Sequence, residues 1–288
     1  PSQLALGELA RFDFHQIDIN HQLNELMSLI EEHQPEYVVN FAAQGMVAQS
    51  WETPEHWYQT NVVGQVLLHD QLRKCRYLKK YVHVSTPEAY GSTDGWIGEH
   101  FNFAPSTPYA VSRAACDLHL LSFFKAYQFP VCFTRAANVY GPGQQLYRIM
   151  PRAMLYARLG KQMQLHGGGH SVRSFIHIDD VADATLRVAL QGVPGESYHI
   201  STYETVTIRR LVEMVCEITG VAFNDLAVVS GDRLGKDQAY LLDSVNIRKN
   251  LGWRDRIGLE EGLQHTLQWI DTHLDTLKTL PADYIHKP

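Results

Sequence analysis

YVHVSTPEAYGS (residues 81–92), a polar loop, then STPYAVSR (106–113) is the stretch on which the reading of this chain turns. The apolar run ends in two hydroxyls, Ser85 and Thr86, and a carboxylate follows at Glu88. Tyr109 and Arg113 stand four residues apart where Thr107-Pro108, an N-cap and first-turn proline pattern, opens a helix. In a parallel sheet, ligand sites lie at the carboxyl ends of strands. A hydroxyl, a phenol and a cation gathered there are the groups needed to move a proton and a hydride off a sugar alcohol. Residues four apart share a helix face, so the guanidinium can lie near the phenol. A tyrosine titrates near pH ~10, and a fixed cation favours its phenolate. A helix-start aromatic beside a solvated arginine would show the same spacing.

Working outward, PEYVVNFAA (35–43) and VCFTRAA (131–137) are further continuous apolar runs, as strands buried on both faces produce. Between these runs lie helical patterns over 21–33, 54–74 and 108–127, and HQIDIN (15–20) reads as a short strand end. Strand and helix alternating at this spacing predict βαβ units, an α/β fold on a Rossmann-type parallel sheet. Beyond NVYGPG (138–143) the texture changes. A basic amphipathic helix covers 148–160, a glycine hairpin 165–175, and a strand with a helix capped at Asp179 or Asp180 covers 175–190. Strands at 195–201 and 239–243 and helices at 207–219 and 259–274 complete the chain. The division expected is residues 1–143 as the first domain and 144–288 as mainly a smaller mixed α/β lobe. Segments near 170–190 and 239–243 return to the first.

Composition narrows the class. With 25 basic and 31 acidic residues the formal charge is −6, which argues against nucleic-acid or anionic-membrane partners. No apolar run approaches a membrane span. Cys75, Cys116, Cys132 and Cys216 are scattered without a CxxC, so buried free thiols in a reducing cytoplasm are expected. No pair among the 15 histidines has metal-ligand spacing with a third partner. No metal is expected, and His83, His177 and His199 read as core residues.

NFAAQ, TNVVG, VSTPEAYGS, PYAVSR and TRAANVYGPG, in this order, resemble the extended short-chain dehydrogenase/reductase family. Within it, the nucleotide-sugar 4,6-dehydratases and their epimerase and decarboxylase relatives are most similar, from Asp18 onward. The resemblance implies a domain holding NAD, a lobe holding a nucleoside-diphosphate sugar, and a homodimer through helices 54–74 and 108–127. It places the catalytic set on Thr86, Glu88, Tyr109 and Arg113. Cofactor contacts fall on Asp18, Ile19, Ala42, Ala43, Gln44, Asn61, Ser85, Tyr109 and Arg113, with Thr60 beside Asn61. Sugar-nucleotide contacts fall on Ser85, Thr86, Asn138, Arg173 and Arg233.

Two positions depart from the family. Arg113 replaces the lysine that bonds the nicotinamide ribose, a swap that keeps charge but changes geometry. Pro87 replaces the acid that precedes the glutamate in glucose-type dehydratases, and proline cannot donate a proton. Glu88 indicates dehydration, since simple 4-epimerases generally need no carboxylate there. An epimerase, a uronic-acid decarboxylase and a non-catalytic homologue remain alternatives. The family's first strand and GxxGxxG turn, which sets backbone N–H groups against pyrophosphate, should precede Asp18. Lacking them, a domain should bind NAD poorly and expose its sheet edge. Either the chain is part of a longer protein or it is a degenerate homologue; the intact catalytic motifs favour the first.

Overall fold

A computed structural model describes residues 12–231 and 240–287. Leu23, Leu26, Met27 and Ile30 line one face of helix α1 (Leu23–His33) and pack on the first face of a parallel sheet. The next strand is β1 (Tyr37–Asn40), followed by α2 (Pro54–Tyr58), a π-helical segment (Gln59–Gly64) and α3 (Gln65–Leu72). The chain continues as β2 (Lys80–Val84), β3 (Trp96–Ile97), α4 (Pro108–Tyr127), β4 (Val131–Ala136) and β5 (Asn138–Tyr140). The second half holds α5 (Ile149–Leu159), β6 (Met163–His166), β7 (Val172–Arg173), β8 (Phe175–His177), α6 (Ile178–Gln191) and β9 (Ser197–Ile200). It ends with β10 (Val206–Thr207), α7 (Ile208–Thr219), β11 (Ala227–Ser230), β12 (Leu241–Leu242), α8 (Val245–Leu251) and α9 (Leu259–Thr272).

The main sheet runs β1-β2-β4-β9, parallel throughout, as the apolar runs predict. Its first face is covered by α1, α3 and α4 around Leu68, Leu72, Leu120 and Phe133. Its second is covered by α6 and α8 around Val181, Val188, Ile247 and Trp253. A separate core unites α5, α7 and α9 through Met154, Leu211, Val215 and Leu263. Among the described residues no helix is long and apolar enough to cross a membrane, and the four cysteines are free.

Several expected elements differ. Residues 15–20 form no strand: the Asp18 carboxylate accepts from Asn20 N (2.7 Å) and the Asp18 carbonyl accepts from Gln22 N (2.8 Å), turning the chain into α1. The 54–74 helix carries the π segment, within which Asn61 is buried. The glycine stretch is no hairpin. Gly167, Gly168 and Gly169 all have positive φ and turn the chain so that β6 pairs with β11 and β7 with β10. Helix α6 is capped by His177, whose Nδ1 accepts from Asp179 N (3.3 Å). The Asp180 carboxylate instead accepts from Arg256 N and Ile257 N, at 3.1 and 3.0 Å. The last strand shortens to Leu241–Leu242, pairing with Trp96–Ile97. Gly91 sits at φ 75°, ψ −160°, a region open to glycine alone, and a Cβ there would meet the Ala104 carbonyl oxygen at 2.3 Å. The YGS turn is glycine for both reasons.

His199 is a core residue with both nitrogens engaged, by Tyr90 Oη (2.8 Å) and the Asp243 carbonyl (3.1 Å). Burial, then the Arg135 charge, depress its pKa to about 3 from 6.5. Between those values the unfolded chain binds the proton and the folded chain does not. The contribution of neutral His199 is therefore whole above pH 6.5 and is lost as pH falls, at about 1.4 kcal/mol per pH unit. Urea titrations at pH 6.5 and pH 5 should show wild type losing about 2 kcal/mol more than His199→Gln. Equal losses would remove this assignment.

Candidate active site

The site is built where β2 and β4 end. Strand β2 delivers Ser85 and Thr86, and Pro87 starts a single 3-10 turn (Pro87–Tyr90) that sets Glu88 two residues on from Thr86. Helix α4 begins at Thr107, whose Oγ1 accepts from Ala110 N (3.2 Å), and this fixes Tyr109 in its first turn. These groups line a cavity of about 820 Å³ closed on the far side by α5, β6, Arg173 and Tyr240. That volume suits a ligand of cofactor or nucleotide size.

Thr86 is the central hydroxyl. It donates to Glu88 Oε2 and receives Glu88 N at 3.4 Å, and it stands near enough to the Tyr109 phenol to act on its titration. Phenol, hydroxyl and carboxylate thus face one cavity together. Burial pushes the Tyr109 phenol up to about 12, and the Glu88 carboxylate adds to the rise. Arg113, the Thr86 hydroxyl and Arg148 pull the other way without prevailing. Arg113 thus acts in the direction its charge predicts, and burial outweighs it. Its guanidinium is buried, with Nη2 donating to the Val84 carbonyl and lying 3.3 Å from His83 Nε2. Arg113 Nε and Nη1 meet no acceptor among the described residues.

The cavity brings together Ser85, Thr86, Glu88, Tyr109, Asn138 and Arg173. Asn138 Oδ1 accepts from Tyr240 Oη (2.9 Å), and the Arg173 guanidinium lies 4.5 Å from the centre of the Tyr240 ring. Ser85 Oγ donates to Asp117 Oδ2 (2.6 Å), away from the hydroxyl–carboxylate chain. Asp18, Ile19, Ala42, Ala43, Gln44, Asn61 and Arg113 do not line this cavity. Asn61 is committed to the turn after β1: its amide bonds Gln44 N (2.8 Å), the Gln44 carbonyl (3.0 Å) and Ser112 Oγ (2.9 Å). These bonds hold the turn. Asn20 Nδ2 donates to Thr60 Oγ1 (2.9 Å), tying the Asp18 turn to the same π segment. Arg233 lies outside the described residues.

Three residues escaped the motif reading. Tyr240 and Arg148 line the cavity from the second half, Tyr240 with its phenol raised by burial and by Glu88. Asp117 lies beneath it, buried and bonded to Arg135 Nη2 (2.7 Å). A charge inside each of the apolar runs AACDLHLL and VCFTRAA was the available signal for that pair.

A parallel doubly covered sheet, with Thr, Tyr and a basic residue at its carboxyl edge, defines a short-chain dehydrogenase/reductase of the extended kind. The profile of the family described as GDP-mannose 4,6 dehydratase matches residues 3–266, and the chain belongs to that family. It is 38% identical to the dTDP-glucose 4,6-dehydratase of Streptomyces antibioticus, over 81% of this chain and 69% of that protein. Its fold matches the dTDP-glucose 4,6-dehydratase of Bacillus anthracis in complex with NAD (TM-score 0.84, 32% identity, 93% of this chain and 82% of that one). It also matches the UDP-glucose 4-epimerase of Thermotoga maritima with UDP-glucose (TM-score 0.86, 28% identity, 95% and 89%).

Proposed function

We propose that this chain is an NAD-dependent nucleotide-sugar 4,6-dehydratase, and the observation that carries the reading is that Tyr109, Thr86 and Glu88 face one cavity, with Thr86 bonded to Glu88. The residues present fit the cofactor. Arg113 has two buried N–H groups without an acceptor, suited to ribose hydroxyls, and small, exposed Ala42 and Ala43 follow β1 on a turn fixed by Asn61. Bound NAD would supply the hydride acceptor for C4 and the hydride donor for C6. Tyr109, once deprotonated, takes the C4 hydroxyl proton, and Thr86 and the guanidinium of Arg113 stabilise its charge. The 4-keto group acidifies C5–H, and Glu88 removes that proton as general base. Pro87 offers no acid, so Glu88 returns the proton to the C6 hydroxyl, which leaves as water, and C5 regains a proton from solvent as C6 is reduced. Arg148 and Arg173 are placed for the substrate diphosphate, a charge that guanidinium forks match.

Incubation with dTDP-, UDP-, GDP- and CDP-hexoses should yield a 4-keto-6-deoxy product with solvent deuterium at C5. Glu88→Gln should lower C5 exchange by about 100-fold or more while still permitting C4 oxidation. Exchange that survives the substitution would remove the role of Glu88, and a product inverted at C4 with no loss of water would replace dehydration by epimerisation.

Two copies pair, on this reading, through α2, α3 and α4, where Tyr58, Val63, Leu67, Val111 and Leu118 are exposed. Leu120 is buried and Phe123 and Phe124 are partly buried against the same core. Leu118→Lys should convert a dimer to a monomer by light scattering; a wild-type monomer would end the idea. Four free thiols fit a reducing cytoplasm.

A further inference from the structure

Between α3, β2 and α4, three donors converge from three elements. His69 comes from α3, His83 from β2 and Cys116 from α4, and all three are buried. A nitrogen of each ring and the sulfur lie within 4.8 Å of one another. The rings are only half engaged. His69 Nε2 meets Tyr81 Oη at 2.8 Å and His83 Nε2 faces Asp117 Oδ1 at 3.4 Å, while Nδ1 of each has no partner among the described residues. Both side chains are 0% exposed, and buried imidazoles ordinarily satisfy both nitrogens. A cation held among the three donors would engage both rings at once.

We propose that His69, His83 and Cys116 form a buried binding site for one soft d10 cation, copper(I) or zinc(II). Two imidazoles and a thiolate are a soft set that selects these ions over magnesium or calcium. The surroundings keep the two imidazoles in binding form. Burial first, then the charges of His119 and Arg113, hold His69 neutral; burial and Arg113 do the same for His83. Cys116 is pushed up to about 12 by burial, so it enters as a thiol and releases one proton per cation bound. Asp117 behind His83 and Tyr81 behind His69 occupy the positions from which outer groups orient ligating imidazoles. Bonds of about 2.0–2.3 Å require the donors to close by roughly 1 Å. Two nearby guanidiniums, Arg113 and Arg135, favour the monovalent ion, whose complex with the thiolate is neutral. The site does not depend on the dehydratase reading.

Its sequence trace is slight: positions 69, 83 and 116 carry no short metal-binding motif, and only the packing of α3 and α4 on β2 unites them. The test uses the whole chain stripped of metal and loaded anaerobically with copper(I) against bicinchoninate, and separately with zinc(II) against a chromophoric chelator. Wild type and Cys75→Ala should each keep one equivalent of one of these ions, and Cys116→Ala should keep less than about a tenth. Whichever chelator fails to strip the protein identifies the ion. X-ray absorption on loaded wild type needs no variant and should show one sulfur near 2.3 Å and two nitrogens near 2.0 Å, as ~2.3 and ~2.0–2.1 Å bonds require. Retention of neither ion, equal retention by Cys116→Ala, or a shell without sulfur would overturn the proposal.

Discussion

Tyr109→Phe is expected to lower kcat by about 100- to 10,000-fold, the usual worth of a positioned general base. Binding of the sugar nucleotide, read by calorimetry, should be largely kept, because the ring and its packing remain. The phenol's environment sharpens this. With the group pushed up to about 12 by burial and by Glu88, the phenolate fraction at neutral pH is on the order of one in 100,000. Difference absorbance between wild type and Tyr109→Phe, both free of ligand, should therefore show no phenolate from this residue below about pH 10. Proton transfer must therefore be coupled to what binding brings into the cavity. A phenolate present at neutral pH in the ligand-free protein, or a phenylalanine variant with wild-type turnover, would each defeat this account.

The main sheet was legible because its strands are buried on both faces. Runs such as Val131–Ala136 leave no polar alternation to mislead, and Pro108 after Thr107 marks its helix to the residue. The Thr86–Glu88–Tyr109 set was legible because strand end, turn and helix start are adjacent in sequence, so local rules bring them together. Elsewhere local rules lacked the deciding partner. The Gly167–Gly169 turn reads as a hairpin until β11 and β10 are present to take the strands on either side. Asp179 is a good N-cap by residue type, yet His177 reaches the free N–H first and Asp180 is drawn to the loop at Arg256. Arg113 could be placed near Tyr109 by spacing, but its two bonds to β2 depend on long-range packing. The histidine–cysteine cluster is the extreme case, since its ligands are up to 47 positions apart (116 − 69).

Asp117→Ala should be the most destabilising single change near the site, at about 3–5 kcal/mol, because it strands a buried guanidinium. Arg135 is 0% exposed, and its bonds run to Asp117 and Ser197, with the rings of Tyr90, Phe101 and Phe103 about it at 5.1 to 5.4 Å. Those aromatic faces soften the charge but cannot replace a carboxylate in a low-dielectric core. For a chain of this size the loss corresponds to a fall in Tm of roughly 10 °C. The change also reaches function. Ser85 Oγ loses its acceptor at the end of β2, one residue from Thr86, so kcat should fall even at temperatures where the variant remains folded. The double variant Asp117→Ala/Arg135→Met separates charge from packing. Removing both partners leaves no buried ion unpaired, so it should regain much of the stability lost by the single variant. It should not regain the activity, because the anchor for Ser85 stays absent. A single variant within about 1 kcal/mol of wild type, or a double variant no more stable than the single, would mean that the pair is not the electrostatic support of this strand end.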